Sequence, residues 1–435
     1  MKKIRMGVLG AYRGSALINY CKRADNVEVV AICDKAVDML EEHRKRAEGL
    51  NITFYDNFDE FILHDMDAVV LANYANEHAP FAIRAMRRGL HVFSEVLPCQ
   101  TMKEAVELVE TVEETGMIYA YGENYCYLPA PYEMTKLYKQ GKIGEFEYGE
   151  CEYIHNLEPC YHCLSYGEED HWRNNWYATF YCTHSLGPMI HMTGLRPVSV
   201  VGFEGTQNAR KLRVGAKSGL YGIEMVTLEN GAIIKSIHGD LYKNSIWYSA
   251  YGSKGRMECG REDAKDGHLY KVYVNADAFE GDYGKSNVES YTPDEDAAAT
   301  KYGHYGSDFY SMYNFIEKIL GNNNADIIDV YEAMDMYLPG MFAYRSILKG
   351  NVSVPIPNLR DKHVRDQWRK DTACTDPKVA GDMLLPTFSK GTPDIDPAVY
   401  QRMKDLWQQE LEKEESGYRD IVFSQSSEEQ EEESV

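Results

Sequence analysis

A hydrophobic run that breaks at a glycine and resumes as a helix opens the chain. No other feature limits the fold so strongly. IRMGVLGAYRGSALI reads as a buried strand that ends at Gly10 and becomes a helix near Ala16. A strand, a glycine turn and a helix in this order set a pyrophosphate against a helix N-terminus, where unpaired backbone N–H groups favour an anion. The second glycine of a G-x-G-x-x-G loop is missing. Tyr12 stands in its place, followed by Arg13 and Gly14. An ordinary tight turn has the same local pattern. The next strand, VEVVAICD, favours a ligand because it ends in Asp34. An acid there, about 20 residues beyond the glycines, accepts ribose hydroxyls of NAD and repels the 2′-phosphate of NADP. Arg13 is expected to neutralise the pyrophosphate. Asp34 also suits a helix N-cap.

The alternation continues through MDAVVLAN, HAPFAIRAMRRG, LHVFSE, TMKEAVELVETVEETG and MIYAYGEN, as strand, helix, strand, helix and strand. Strands alternating with helices predict a parallel, doubly wound α/β sheet of the Rossmann type. Ligands bind such sheets at the carboxyl ends of their strands. Asn73, His78, Glu95 and Asn124 stand at those ends and together form a candidate rim. After about Tyr127 the pattern changes. LPAPYEMTKLYKQGKIG reads as a helix and GEFEYGECEYIHNL as a long alternating strand. Further strands follow, with NG and SKG marking hairpin turns. They predict an α+β domain with an open, mostly antiparallel sheet. One face is expected to carry a substrate site and the other to bury in a second copy, giving a homo-oligomer.

A net charge of −22 excludes nucleic acid and anionic membrane surfaces as expected partners. No run is long and apolar enough to span a bilayer, and MKKIRMGVLG passes directly into a strand with no signal peptide. The ten cysteines are expected as reduced thiols of a cytoplasmic protein. The 33 tyrosines, clustered after Tyr119, suit a site that stacks on a polar ring.

Tyr153 and His155 lie two apart in EYIH and share a strand face. THSLGPMIHMTG reads as a helix with His184 at its start, whereas His191 reads as a packed helix histidine. Cys160, His162 and Cys163 lack the second ligand pair of a closed zinc site, so no metal is expected. KYGHYGSDFYSMYNFIEKIL turns into a helix after His304, and AVYQRMKDLWQQELEKEE is amphipathic.

With these segments in place, the chain resembles the Gfo/Idh/MocA oxidoreductases over roughly residues 1 to 350. GVLGAYRG, Asp34, ANYANEH with Asn73, Asn76 and His78, SEVLP and DVYEAMDMYLPGMFAYRSILKG carry the resemblance. Two departures stand out. Dehydrogenases of this family usually have Glu-Lys-Pro where this chain has Glu95-Val96-Leu97-Pro98. They also usually have an Asp where this chain has Phe180, before the site His. The NAD-dependent glycosidase branch, typified by α-N-acetylgalactosaminidases, shows a similar pair of losses. Its pattern is matched by Glu95-Val96, Glu123-Asn124, Tyr153-Ile154-His155, Trp172-Arg173 and Tyr181-Cys182-Thr183-His184 before Leu186-Gly187-Pro188.

The resemblance implies NAD as cofactor and a carbohydrate or glycoside as substrate. It implies cofactor contacts from Gly10, Tyr12, Arg13, Gly14, Asp34, Asn73, Asn76, His78, Glu95, Val96 and Asn124. Trp172, Arg173, Tyr181, Thr183 and His304 are implied around the sugar. His184 is expected to take the carbon 3 hydroxyl proton, and Tyr153 the carbon 2 proton, its phenol lowered from about 10. His155 or Glu123 is expected to protonate the leaving oxygen. The expected domains are an NAD-binding domain over 1–125 and a substrate and oligomerisation domain over 126–350. Within the second, a helix over 330–350 is expected to pack back on the first. A C-terminal extension over 351–420 and an acidic disordered tail over 421–435 complete the chain.

Overall fold

The computed structural model describes residues 3–47, 50–261, 271–276, 288–293, 299 and 302–414. The tail over 421–435 lies outside the described residues. The chain divides into two compact units. The first comprises 1–127, 296–334 and 359–372; the second comprises 128–295, 335–358 and 373–435.

The first unit holds six strands: β1 (Ile4–Leu9), β2 (Val27–Cys33), β3 (Thr53–Tyr55), β4 (Ala68–Leu71), β5 (His91–Glu95) and β6 (Tyr119–Gly122). All pairs are parallel, in the order β3-β2-β1-β4-β5-β6. Helices α1 (Ala11–Arg23), α2 (Val37–Arg46), α3 (Phe58–Phe61), α4 (His78–Arg87) and α5 (Met102–Thr115) connect them. Strands covered on both faces lose their polar alternation. Accordingly, Met6, Val8, Val70 and Phe93 are buried with Leu17 and Phe315 in one core. The strand order reverses beside β1, which is where such sheets open a crevice for a ligand. At α5, Thr101 and Glu104 form a capping box.

The segment 359–372 also belongs to this unit. Its fully buried Arg365 donates to Glu113 on α5 at 2.7 and 2.5 Å and to the Leu359 carbonyl at 2.6 Å. The fork geometry of guanidinium matches a carboxylate, and the third bond uses a donor that burial would otherwise strand.

The second unit begins with α6 (Pro129–Lys139) and β7 (Phe146–Ile154), followed by α7 (Tyr161–Ser165), α8 (Trp172–Asn175) and α9 (Thr183–Thr193). Strands β8 (Pro197–Glu204), β9 (Tyr221–Leu228), β10 (Ile233–Gly239), β11 (Ser245–Gly252), β12 (Gly255–Cys259), β13 (Val272–Ala276), β14 (Val288–Tyr291) and β15 (Val354–Pro355) complete it. They form a nine-stranded sheet in the order β14-β13-β12-β11-β7-β10-β9-β8-β15. It is antiparallel except between β7 and β10. In β9 every second residue is buried, so one face is the inner one. That face receives α9: the hydroxyls of Ser185 and Ser236 bond at 2.7 Å, and Tyr248 donates to the His184 carbonyl at 2.5 Å.

The helix Val330–Leu348 belongs to the second unit from Asp335 onward. Within that unit its backbone packs closely. A Cβ at Gly340 would stand 2.2 Å from the Thr179 carbonyl oxygen, and the Thr179 hydroxyl donates to the Gly340 carbonyl at 2.7 Å. The amphipathic C-terminal segment forms a helix, Pro397–Glu414, and folds onto its own chain. Met403 is buried with Leu157 and Tyr161, and Trp407 meets Tyr166 edge-on at 5.1 Å.

Arg365→Ala is expected to lower the unfolding free energy by roughly 2–3 kcal/mol, less than for a fully buried pair because Glu113 keeps part of its carboxylate in water. Urea unfolding measures this. A loss below about 0.5 kcal/mol, the ordinary range of a surface substitution, would contradict the anchoring role.

Candidate active site

The chain turns at Gly10 with φ 91°. A Cβ there would stand 2.4 Å from the carbonyl carbon and oxygen of Ala72. Only glycine allows both the angle and the approach. α1 starts directly after it with no side-chain cap, so its first N–H groups suit a phosphate. Tyr12, Arg13 and Gly14 lie in this first turn. Asp34 follows β2 and accepts from Ala11 N at 2.7 Å and Ala36 N at 2.9 Å, one on each oxygen. Each oxygen retains acceptor capacity for a ribose hydroxyl. Past β4, the side-chain carbonyls of Asn73 and Asn76 are buried and have no hydrogen-bond partner among the described residues. An orphaned buried acceptor is costly, so the pair fits a group that brings its own donors. Gly10, Asp34, Asn73 and Asn76 thus fit NAD.

Other residues expected around the cofactor have partners within the chain or are buried. His78 is 1% exposed, with Nδ1 at 2.9 Å from the Leu97 carbonyl and Nε2 at 3.2 Å from the Asn73 carbonyl. Burial pushes its imidazole down to about 4, against the backbone bonds that raise it. His78 is therefore neutral, and its single ring N–H donates to one of these two carbonyls. Arg13, expected on the pyrophosphate, gives two bonds to Asp308, at 3.0 and 2.9 Å, and pairs with Glu95 at 2.9 Å. Two carboxylates already balance its charge. Val96 is buried just past β5.

Asp308 is a residue that the sequence did not reveal. It also accepts from Asn124 Nδ2 at 3.0 Å and bonds the His304 ring at 3.0 Å. Burial alone would push its carboxyl up, but Arg13 and His304 outweigh that and hold it well below the usual carboxylate range. His304 thus stands beside Asp308 in the first unit. Glu123, in the same unit, is fully buried and accepts from Tyr125 N at 3.1 Å.

The second unit gathers the other expected residues. Tyr153, near the end of β7, bonds His155 Nδ1 through its hydroxyl at 3.1 Å. Its ring meets His184 edge-on at 4.9 Å, and Tyr181 meets His184 in the same way at 5.0 Å. Trp172 stacks near Tyr181 with ring centroids 6.3 Å apart, and the Arg173 guanidinium lies 4.4 Å above Trp172. Thr183 is fully buried at the start of α9. Aromatic rings beside a forked cation and two imidazoles suit hydroxyl-rich rings, which offer both apolar faces and polar edges. Cys160 donates to the Leu157 carbonyl at 3.5 Å, and His162 lies 3.8 Å from Glu410 on the C-terminal helix.

Comparison with known proteins bears on both units. Residues 4–123 match a family described as an oxidoreductase family with an NAD-binding Rossmann fold. Over these residues the chain is similar to the Gfo/Idh/MocA family. Their cofactor is NAD. A glycosyl hydrolase family 109 protein of Solibacter usitatus is 25% identical over 403 residues, 84% of this chain and 89% of that protein. Another, from Shewanella pealeana, is 31% identical over 202 residues, 43% of this chain and 44% of that protein. In fold, the chain is similar to myo-inositol 2-dehydrogenase from Lactobacillus plantarum, with TM-score 0.64 and 19% identity over 82% of this chain and all of that one. It is also similar to the WlbA dehydrogenase of Bordetella pertussis in complex with NADH and UDP-GlcNAcA. That likeness has TM-score 0.63 and 18% identity, over 82% of this chain and 98% of that one.

Asp308→Asn is expected to cost about 2 kcal/mol at neutral pH, since it removes a charged partner from buried bonds. The sign of the pH dependence follows from the lowered carboxyl. The wild type holds this stabilisation above the unfolded value of about 4 and loses it as pH falls through the folded value, so the two proteins should converge in acid. Unfolding midpoints across an acid series check this. A gap that widens on acidification contradicts it.

Proposed function

We propose that the protein is an NAD-dependent glycoside hydrolase that acts through temporary oxidation of its sugar. The single observation that carries this reading is the Tyr153 hydroxyl held 3.1 Å from His155 Nδ1, with the same ring 4.9 Å from His184. An elimination needs a base and a proton carrier on neighbouring carbons, and this cluster offers both. The Solibacter relative's designation as a glycosyl hydrolase supports it.

NAD, when bound, supplies a reversible acceptor for the hydride of sugar carbon 3. The protein's own residues move protons. His184 takes the proton of the carbon 3 hydroxyl. Tyr153 takes the carbon 2 proton once a carbonyl at carbon 3 has acidified it. His155 or Glu123 gives a proton to the leaving oxygen at carbon 1, and water then adds there. Arg173, Tyr181, Trp172, Thr183 and His304 hold the sugar. Glycosidases that use NAD stand outside the usual two-carboxylate arrangement. Val96, where related dehydrogenases carry a lysine, is consistent with a base placed elsewhere.

A second reading is a sugar or cyclitol dehydrogenase that releases its keto product. The fold likeness to myo-inositol 2-dehydrogenase favours it. The sheet face opposite α9 carries Phe203, Ile233 and Tyr251, each at least 40% exposed, and we assign it to a second copy of the chain. All ten cysteines are free, which suits the cytoplasm. Among the described residues no helix is long and apolar enough to cross a membrane.

A panel of chromogenic glycosides separates the two activities. Aglycone release with no accumulation of NADH is the expected result, and stoichiometric NADH without aglycone contradicts it. Tyr153→Phe should lower turnover at least 100-fold, in the range of lost general-base catalysis, while leaving NAD affinity unchanged.

A further inference from the structure

The C-terminal helix Pro397–Glu414 has one apolar face, and that face is not spent on the sheet. Tyr400 and Met403 are buried, and Leu406 and Trp407 are half-buried, at helical spacing. They meet α7, Gly215 and the loop that joins α7 to α8. α8 carries Trp172 and Arg173 and has only four residues. A helix so short has no stability of its own, so α8 keeps its shape through what packs around it.

Two routes lead from the C-terminal helix to α8. The first runs through Tyr161, which is buried against Met403. The Tyr161 hydroxyl stands 2.9 Å from the Arg173 carbonyl and 3.0 Å from Asn174 Oδ1, with a single hydrogen to give. The second runs through Tyr166. Trp407 meets Tyr166 edge-on at 5.1 Å, and Tyr166 meets the buried His171 edge-on at 5.9 Å. His171 Nδ1 then accepts from Arg173 N at 3.2 Å and caps α8. Tyr166 holds a left-handed backbone with φ 54°, an uncommon angle for a residue with a Cβ. Directly after it, the C-terminal helix comes so near that a Cβ at Gly167 would stand 2.4 Å from Lys404 N. The corner that leads into α8 is thus shaped against the backbone of the C-terminal helix.

We propose that Trp407 is a positioning residue for Trp172 and Arg173, and that the C-terminal helix is the element that holds these two side chains in place. Trp407 acts through Tyr166 and His171 and takes no part in the chemistry. Its bearing on turnover rests on the proposed function, in which Trp172 and Arg173 hold the sugar. Its bearing on the order of α8 does not.

The test uses the full chain with NAD and follows amide hydrogen exchange by mass spectrometry along a mild urea series. In the wild type, the segments 161–176 and 397–414 should open together, as one cooperative unit. Trp407→Ala should speed exchange over 166–174 about tenfold and leave β7 and β10 unmoved, whereas Trp407→Phe, which keeps an aromatic edge, should stay near the wild type. With a glycoside that the wild type cleaves, Trp407→Ala should raise KM about tenfold with kcat held within about twofold, and Trp407→Phe should restore KM. Separate opening of the two segments in the wild type overturns the proposal, whether or not the variants fold. Unchanged exchange over 166–174 in Trp407→Ala overturns it too, as does an increase spread evenly over the second unit. An unmoved KM in that variant does the same. A wild type that cleaves no glycoside counts against the proposed function, and the exchange measurements still decide whether the C-terminal helix orders α8.

Discussion

His184 owes its place to the fastening of α9 onto the nine-stranded sheet. Tyr248 donates to the His184 carbonyl, and Ser185 bonds both the Cys182 carbonyl and Ser236. These are buried polar bonds, and breaking any one of them leaves a partner stranded without water. They fix the first turn of α9, from which the imidazole meets Tyr153 edge-on at 4.9 Å. Cys182 donates to the Met336 carbonyl at 3.4 Å, which ties the same turn to the helix Val330–Leu348. The geometry of this cluster is thus a consequence of packing on the inner face of the sheet.

The first unit relies on charge in a comparable way. Arg13 sits in the first turn of α1, where an unbalanced cation would bind any anion. Glu95 and Asp308 balance it, and Asp308 also takes Asn124 and His304. The first turn of α1 is held by these ion pairs, and its backbone N–H groups suit a phosphate. His78 stays neutral, buried beside two carbonyls, and donates its single N–H to one of them.

Much of this is legible in the sequence, for local reasons. Continuous apolar strands punctuated by helices dictate a parallel sheet. Gly10 and Asp34 mark its ligand end because a turn and an acid are needed at fixed places along the chain. The period of a strand places Tyr153 and His155 together. Other parts depend on distance along the chain. Asp308 is 295 residues from Arg13, and no local signal joins them. The rim position of His78 suggests a ligand contact, whereas its burial beside two carbonyls depends on the fold. Turn residues reveal hairpin neighbours, whereas β7 and β10 are brought together across intervening helices and strands.

The central claim is that a base removes the proton from sugar carbon 2 while the hydrogen of carbon 3 is lent and returned. Cleavage of a glycoside in deuterium oxide, with the product sugar read by NMR, tests this most directly. The account predicts deuterium at carbon 2 and retention of the original hydrogen at carbon 3. Product released with hydrogen still at carbon 2 would contradict it.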